Sequence, residues 1–166
     1  MKSRVVQIFF CLFLCSTIAH AQAYRFRGLR TGQTRGQVAQ RLKELGYSPL
    51  TCKPSDQPSE LKCSVSRTDN VAPERIELFF DRGIFDSLSF KYPSSSFNQL
   101  LDELSAENGP PTNPLHTEES LGFKFLSVDW QDRSSCPCEI LKLTRTTDGT
   151  TQLQLNNGPL MIMGFR

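Results

Sequence analysis

Hydrophobic and polar positions alternate along this chain with two periods. From Thr34 the sequence runs Thr34-Arg35-Gly36-Gln37, and then Val38, Leu42 and Leu45 recur at i, i+4 and i+7. That spacing lines one face of a helix. Thr34 with Gln37 forms a capping box, in which each side chain satisfies a backbone amide that the first turn leaves free. Gly46 supplies the left-handed residue that stops the helix. The pattern returns at Ser96 and Gln99, with Phe97, Leu100, Leu101 and Leu104 as the apolar stripe, and Gly109-Pro110-Pro111 as the stop.

Between and after these helices the period falls to two. Tyr47 to Lys53, Leu61 to Arg67, Glu74 to Phe80 and Ile84 to Lys91 read as strands, the last two joined at Asp81-Arg82-Gly83. Phe123 to Gln131, Glu139 to Thr146 and Thr150 to Asn156 follow the second helix, with Pro110 to Pro114 and His116 read as a loop. Thr34 and Ser96 are 62 positions apart, as are Val38 and Leu100, Leu42 and Leu104, Glu77 and Glu139, and Leu78 and Ile140. Such agreement points to an internal duplication. The expected fold is α+β, with tandem helix-plus-antiparallel-sheet repeats and both helices packed on one face of the sheet. Residues 22–92 form the first repeat and 93–166 the second. A half of this size buries little apolar surface alone, so one continuous domain is expected.

The first residues carry a different pattern. Lys2 and Arg4 precede an almost wholly apolar run from Val5 to Ile18, and Ala19-His20-Ala21 places small residues at −3 and −1. Residues 1–21 read as a secretory signal peptide, with cleavage after Ala21 or, on the same pattern, Ala23. The destination is then the periplasm or the exterior. Cys15 follows Leu14, which is not the small residue that lipidation requires.

Composition narrows the class. The chain holds 19 basic and 17 acidic residues; without Lys2 and Arg4 the remainder is balanced. A general nucleic-acid binder needs surplus cations, so nucleic acid is excluded as a partner. No later run reaches about 18 apolar residues, so no stable membrane insertion is expected after signal cleavage. Charge divides between the repeats, with 12 basic against 8 acidic residues in 22–92 and 5 against 9 in 93–166. Arg25, Arg27, Arg30 and Arg35 could clamp anionic groups. The simpler reading is an arm that is solvated or packs on the acidic half, where Asp102, Glu103, Glu107, Glu118 and Glu119 lie.

Four cysteines follow the leader, and an oxidising compartment makes them disulfide candidates. Cys52–Cys63 is the favoured pair, closing a short loop between two strands. Cys136-Pro137-Cys138 reads as a structural bridge or as two paired thiols in a turn; a redox-active pair is the sharper alternative. An enzyme needs a nucleophile, a base or a metal. His116 is the single histidine after the leader, and reads as an exposed loop residue rather than a base for Cys136 or Cys138. Asp129 and Asp132 have no spacing that selects them for acid–base work, and Glu77 and Glu139 read as structural or exposed. No enzyme, no metal and no other cofactor is expected. A binding module needs only a surface, and a sheet covered on one side leaves a face free. Aromatic side chains there would mark the contact. Tyr47, Phe85, Phe123 and Phe125 are among the candidates, and Trp130, Phe79 and Tyr92 are the residues selected.

Gly32-Gln33-Thr34-Arg35-Gly36-Gln37-Val38 is similar to the Gly-x-Thr-x-x-Gln-Val stretch of small outer-membrane-assembly lipoproteins of the SmpA/OmlA type. The tandem architecture over about residues 28–156 resembles the β-lactamase inhibitory protein fold, in which a long concave sheet grips another protein. The chain departs from the lipoproteins in lacking an acylation cysteine. The leader, the lack of a catalytic motif and the uncovered sheet face together predict a non-enzymatic, exported protein that binds a protein or other component of the cell envelope through that face. A secreted hydrolase inhibitor, or a thiol–disulfide protein using Cys136-Pro137-Cys138, is the alternative.

Overall fold

A computed structural model describes residues 23–47, 49–66, 75–120, 122–131 and 139–157. The leader, the Cys136-Pro137-Cys138 motif, Asp132 and the apolar stretch from Pro159 to Phe165 lie outside the described residues. Helix α1 spans Arg35–Glu44 and is followed by strands β1 (Thr51–Pro54), β2 (Glu60–Val65), β3 (Arg75–Asp81) and β4 (Ile84–Pro93). Helix α2 (Phe97–Asn108) is followed by β5 (Asn113–Ser120), β6 (Phe123–Gln131), β7 (Glu139–Arg145) and β8 (Thr150–Asn157). All eight strands form one antiparallel sheet in the order β1-β2-β3-β4-β8-β7-β6-β5. The architecture is α+β. Among the described residues, no helix is long and apolar enough to cross a membrane.

Local chemistry sets the element ends. The Thr34–Gln37 capping box forms in full. At the other end of α1, the amide of Tyr47 bonds the Leu42 carbonyl and that of Gly46 bonds the Lys43 carbonyl, with Gly46 at φ 83°. This paired closure satisfies the last free carbonyls and folds Tyr47 back over Leu42. The second expected box does not form. Ser96 has helical dihedrals and makes no side-chain cap bond. It ends a 3₁₀ turn over Ser94–Ser96, so the chain is already wound when α2 begins.

The β3–β4 hairpin turns at Arg82 and Gly83, both with positive φ. Strands joined by such a turn keep their right-handed twist. A bulge follows: Phe79 opposes Ser87 and Phe80 opposes Phe85, leaving Asp86 as the extra residue.

Strand β5 departs from the sequence expectation. Its Pro114 and acidic residues read as a loop, yet the segment pairs with β6 along the outer edge of the sheet. A proline is tolerated there because an edge residue can lack a partner for its amide.

Both helices pack on the same face of the sheet. Val38, Leu42, Phe97, Leu100 and Leu104 form one core with Cys63, Ile76, Leu78, Leu88, Phe90, Leu155, Leu141 and Trp130. Across the register Cys63, Leu78, Leu88, Leu155, Leu141 and Trp130 are successive neighbours in one row. The row also corrects the strand pairs expected at a spacing of 62. Leu78 lies in it and Ile140 does not, although the two are 62 positions apart; Glu77 and Glu139 likewise fall on opposite faces. A one-residue offset in a strand reverses every side chain. Leu78 and Leu141, which both lie in the row, are 63 positions apart.

The N-terminal arm completes this layer. Phe26 and Leu29 exchange backbone hydrogen bonds around Arg27 and Gly28, both with positive φ. Phe26 stands edge-on to Phe90 at 4.8 Å. Glu107 of α2 accepts from the amides of Arg27 and Gly28, each at 2.8 Å, while Arg41 of α1 donates to the Arg27 carbonyl at 2.8 Å. The Arg27 guanidinium binds Glu103 at 2.6 Å. For Arg27 the simpler reading of the basic arm therefore applies: it packs on the acidic helix. Buried Glu139 accepts from the Tyr24 amide at 2.6 Å and from the Thr31 hydroxyl, a structural role.

Cys52 and Cys63 face each other across β1 and β2 and are disulfide-bonded. The bond agrees with folding in an oxidising compartment. A loop of this length closed covalently adds about 3 kcal/mol by restricting the unfolded chain. Replacing both cysteines with serine is expected to lower the urea midpoint accordingly, and an unchanged midpoint would deny the bond that role. At Gly28 an added methyl would meet Arg41 Nε at 2.8 Å in a left-handed backbone, whereas Gly32, also left-handed, has open space. Gly28→Ala should therefore destabilise by more than the about 1–3 kcal/mol of backbone strain alone, and Gly32→Ala by that strain only. Equal effects in urea melts would contradict the clasp.

Candidate functional site

The face of the sheet opposite the helices is built by the alternate residues of each strand. One row crosses all eight strands: Thr51, Ser64, Glu77, Ser89, Gln154, Lys142, Asp129 and Asn113. Every member is polar. The core row described above is apolar throughout, so the two rows have opposite chemistry.

The aromatic residues divide between these faces. Trp130 is 1% exposed, on the helix side, and its indole Nε1 donates to the Gly109 carbonyl at the end of α2 at 2.8 Å. Tyr92 is also buried on that side, its ring stacked on Phe90 at 5.6 Å. Neither ring is placed to touch a partner. Phe79 lies on the open face, mostly covered, with the Lys62 ammonium 5.4 Å from its ring centre. Lys62 also pairs with Glu77 at 3.1 Å. Phe123, 60% exposed, and Phe125, half-buried, are the aromatic residues of β6 that alternate onto the open face.

Side chains from β5, β6 and β7 gather next to these residues. His116 Nε2 lies 3.1 Å from Glu118 Oε1 and 3.9 Å from Asp129 Oδ2. The other ring nitrogen, Nδ1, lies 2.8 Å from the Pro114 carbonyl, which can only accept. Lys142 donates to Glu118 Oε2 at 2.5 Å, and Asn113 donates to Asp129 Oδ1 at 2.6 Å. The Pro114 carbonyl first, then Glu118 and Asp129, holds the His116 pKa above its ordinary value. Burial pulls the Glu118 carboxyl upward, but hydrogen bonds from Lys142 and His116, with their charges, outweigh it and leave the group below the usual range.

A bulge makes this cluster. Asn113 opposes Asp129 and His116 opposes Ser127, so three steps on β5 match two on β6. In a regular strand Asn113 and His116 would point to opposite faces; the extra residue brings both to the open one. The sequence reading missed the gathering because it placed His116 in a loop, and a loop has no register. The remaining signal was the His116-x-Glu118 spacing, which puts both on one face once the segment is a strand. His116 is thus joined to two carboxylates, and Cys136 and Cys138 lie outside the described residues.

The protein has a single tryptophan. With Trp130 sealed beneath α2, folded-state emission should be blue-shifted and poorly quenched by acrylamide, shifting red on unfolding. Ready quenching in the native state would place the ring at the surface instead. Comparison with known protein families, with curated proteins and with solved structures finds no match for this chain.

Proposed function

We propose that this chain is an exported, non-enzymatic protein that binds a protein or other component of the cell envelope through the open face of its sheet. One observation carries the reading: a row of polar residues runs unbroken across all eight strands on the side away from the helices. Eight strands span about 34 Å, a width suited to a protein partner, whose contact patch commonly takes about 800 Å² from each side. Polar residues interspersed with Phe123 and Phe125 suit an interface that forms between folded proteins, which needs anchors within a hydrogen-bonding surround.

The resemblance to the β-lactamase inhibitory protein fold read from the sequence implies this use of the sheet, and to it belongs the reading of the chain as a tandem duplication. Each half contributes one helix and then four strands, and the halves meet through their last strands, β4 and β8. Buried Val38 and Leu42 match buried Leu100 and Leu104 at a spacing of 62. A one-residue insertion after α2 accounts for the spacing of 63 in the strands. Hydrolase inhibition would be one form of such binding. Secretion rests on the leader pattern and on the Cys52–Cys63 bond.

The test uses the chain from Gln22 as bait in envelope extract, beside Gln154→Arg at the centre of the polar row and Phe123→Ala at its aromatic end. A partner retained by the wild type and reduced about tenfold or more by either variant, with melting temperature unchanged, is the expected result; truncating an interface anchor commonly costs 1.4 kcal/mol or more, about tenfold. Full retention by both variants would remove the sheet face from the interaction. Trp130→Ala is unsuitable as a contact variant, because it opens the core.

A further inference from the structure

The geometry points to a divalent metal site, of the kind that takes Zn²⁺, formed by His116, Glu118 and Asp129 on the open face of β5 and β6. Their ligand atoms all lie within 4.8 Å of one another. Two donors on one tetrahedral zinc, at bond lengths of about 2.0–2.1 Å, stand about 3.3 Å apart. The His116–Glu118 separation of 3.1 Å already fits, and 3.9 Å to Asp129 needs a small closure.

The orientation of each ligand is independently fixed. The Pro114 carbonyl holds Nδ1 as a donor, so the neutral ring presents its lone pair at Nε2 toward the carboxylates. Lys142 occupies the far oxygen of Glu118, and Asn113 the far oxygen of Asp129. Three ligands from two adjacent strands, each with an outer partner on its other atom, is the arrangement by which proteins orient metal ligands. The β5 bulge is a third observation, since it places His116 and Asn113 on the same face as Glu118 and Asp129.

Ligand chemistry narrows the ion. One imidazole and two carboxylates suit Zn²⁺ and neighbouring first-row ions rather than the all-oxygen shells of Ca²⁺ or Mg²⁺. Three protein ligands leave a coordination position open. With two carboxylates against Lys142, the site carries a net charge of −1 that a dication inverts. The bland alternative is an imidazolium held between the two acids, and it predicts no affinity for metal.

The experiment is equilibrium dialysis of the chain from Gln22 against zinc alone, followed by metal analysis. His116→Gln, Asp129→Asn and a Cys136→Ser/Cys138→Ser variant run in parallel, with circular dichroism and melting as the check on folding. The expected result is one zinc per chain, affinity lowered about tenfold or more in the His116 and Asp129 variants, and binding intact in the cysteine variant. Cobalt substitution should give the intense visible bands of a low-coordinate site in the wild type and lose them in His116→Gln. No saturable binding at millimolar zinc, binding unchanged by folded His116→Gln, or binding lost with the cysteines would each overturn the site. Should the His116 and Asp129 variants fail to fold, loss of the wild-type cobalt bands on carbethoxylation of its one histidine supports the site, and their persistence overturns it.

Discussion

The pairing of β4 with β8 is the constraint on which the molecule depends. Seven residue pairs, from Ser87–Asn156 to Pro93–Thr150, join a four-stranded sheet from each half into one. Half a chain of this length buries little apolar surface and is marginal alone. The seam solves this by placing Leu88 and Phe90 of one half against Leu155 and Leu153 of the other, so that α1 and α2 share a continuous core. Local turns can form each hairpin, but only this long-range pairing closes the core.

Two helices leave a groove over so wide a sheet, and the N-terminal arm enters it. Phe26 and Leu29 add apolar bulk, while the amides of their turn are bonded by Glu107 and its carbonyl by Arg41. The arm therefore ties α1 to α2 without contributing a strand to the sheet. Its charge finds an internal use: Arg27 compensates Glu103 beside the helix surface. The division of charge between the halves is in part an account of this packing.

Among the described residues, the helices and arm occupy one face of the sheet and leave the other to its polar row. Its polar row and the His116–Glu118–Asp129 cluster follow from that asymmetry, because polar groups on the covered side would lose water without gaining partners. Asp129 and Trp130 illustrate the division. They are adjacent in sequence, yet one faces the histidine and the other donates to the end of α2.

The sequence by itself determined the elements whose signals are local. The Thr34–Gln37 box, the Gly46 stop, the Arg82–Gly83 turn, strand β6 and the Cys52–Cys63 bond were all legible, because each rests on neighbours along the chain or on one short loop. Tertiary structure alone decided the rest. Strand β5 has poor strand composition and exists through its pairing with β6. Ser96 had the right side chain for a cap, but the preceding 3₁₀ turn set its backbone. Alternation told that Trp130 and Asp129 face opposite ways, but not which way lies the core, since that depends on where the distant helices dock. The same limit hid the site: the convergence of His116 with Asp129 is set by a bulge and a strand register, and those are relations between segments that no single segment encodes.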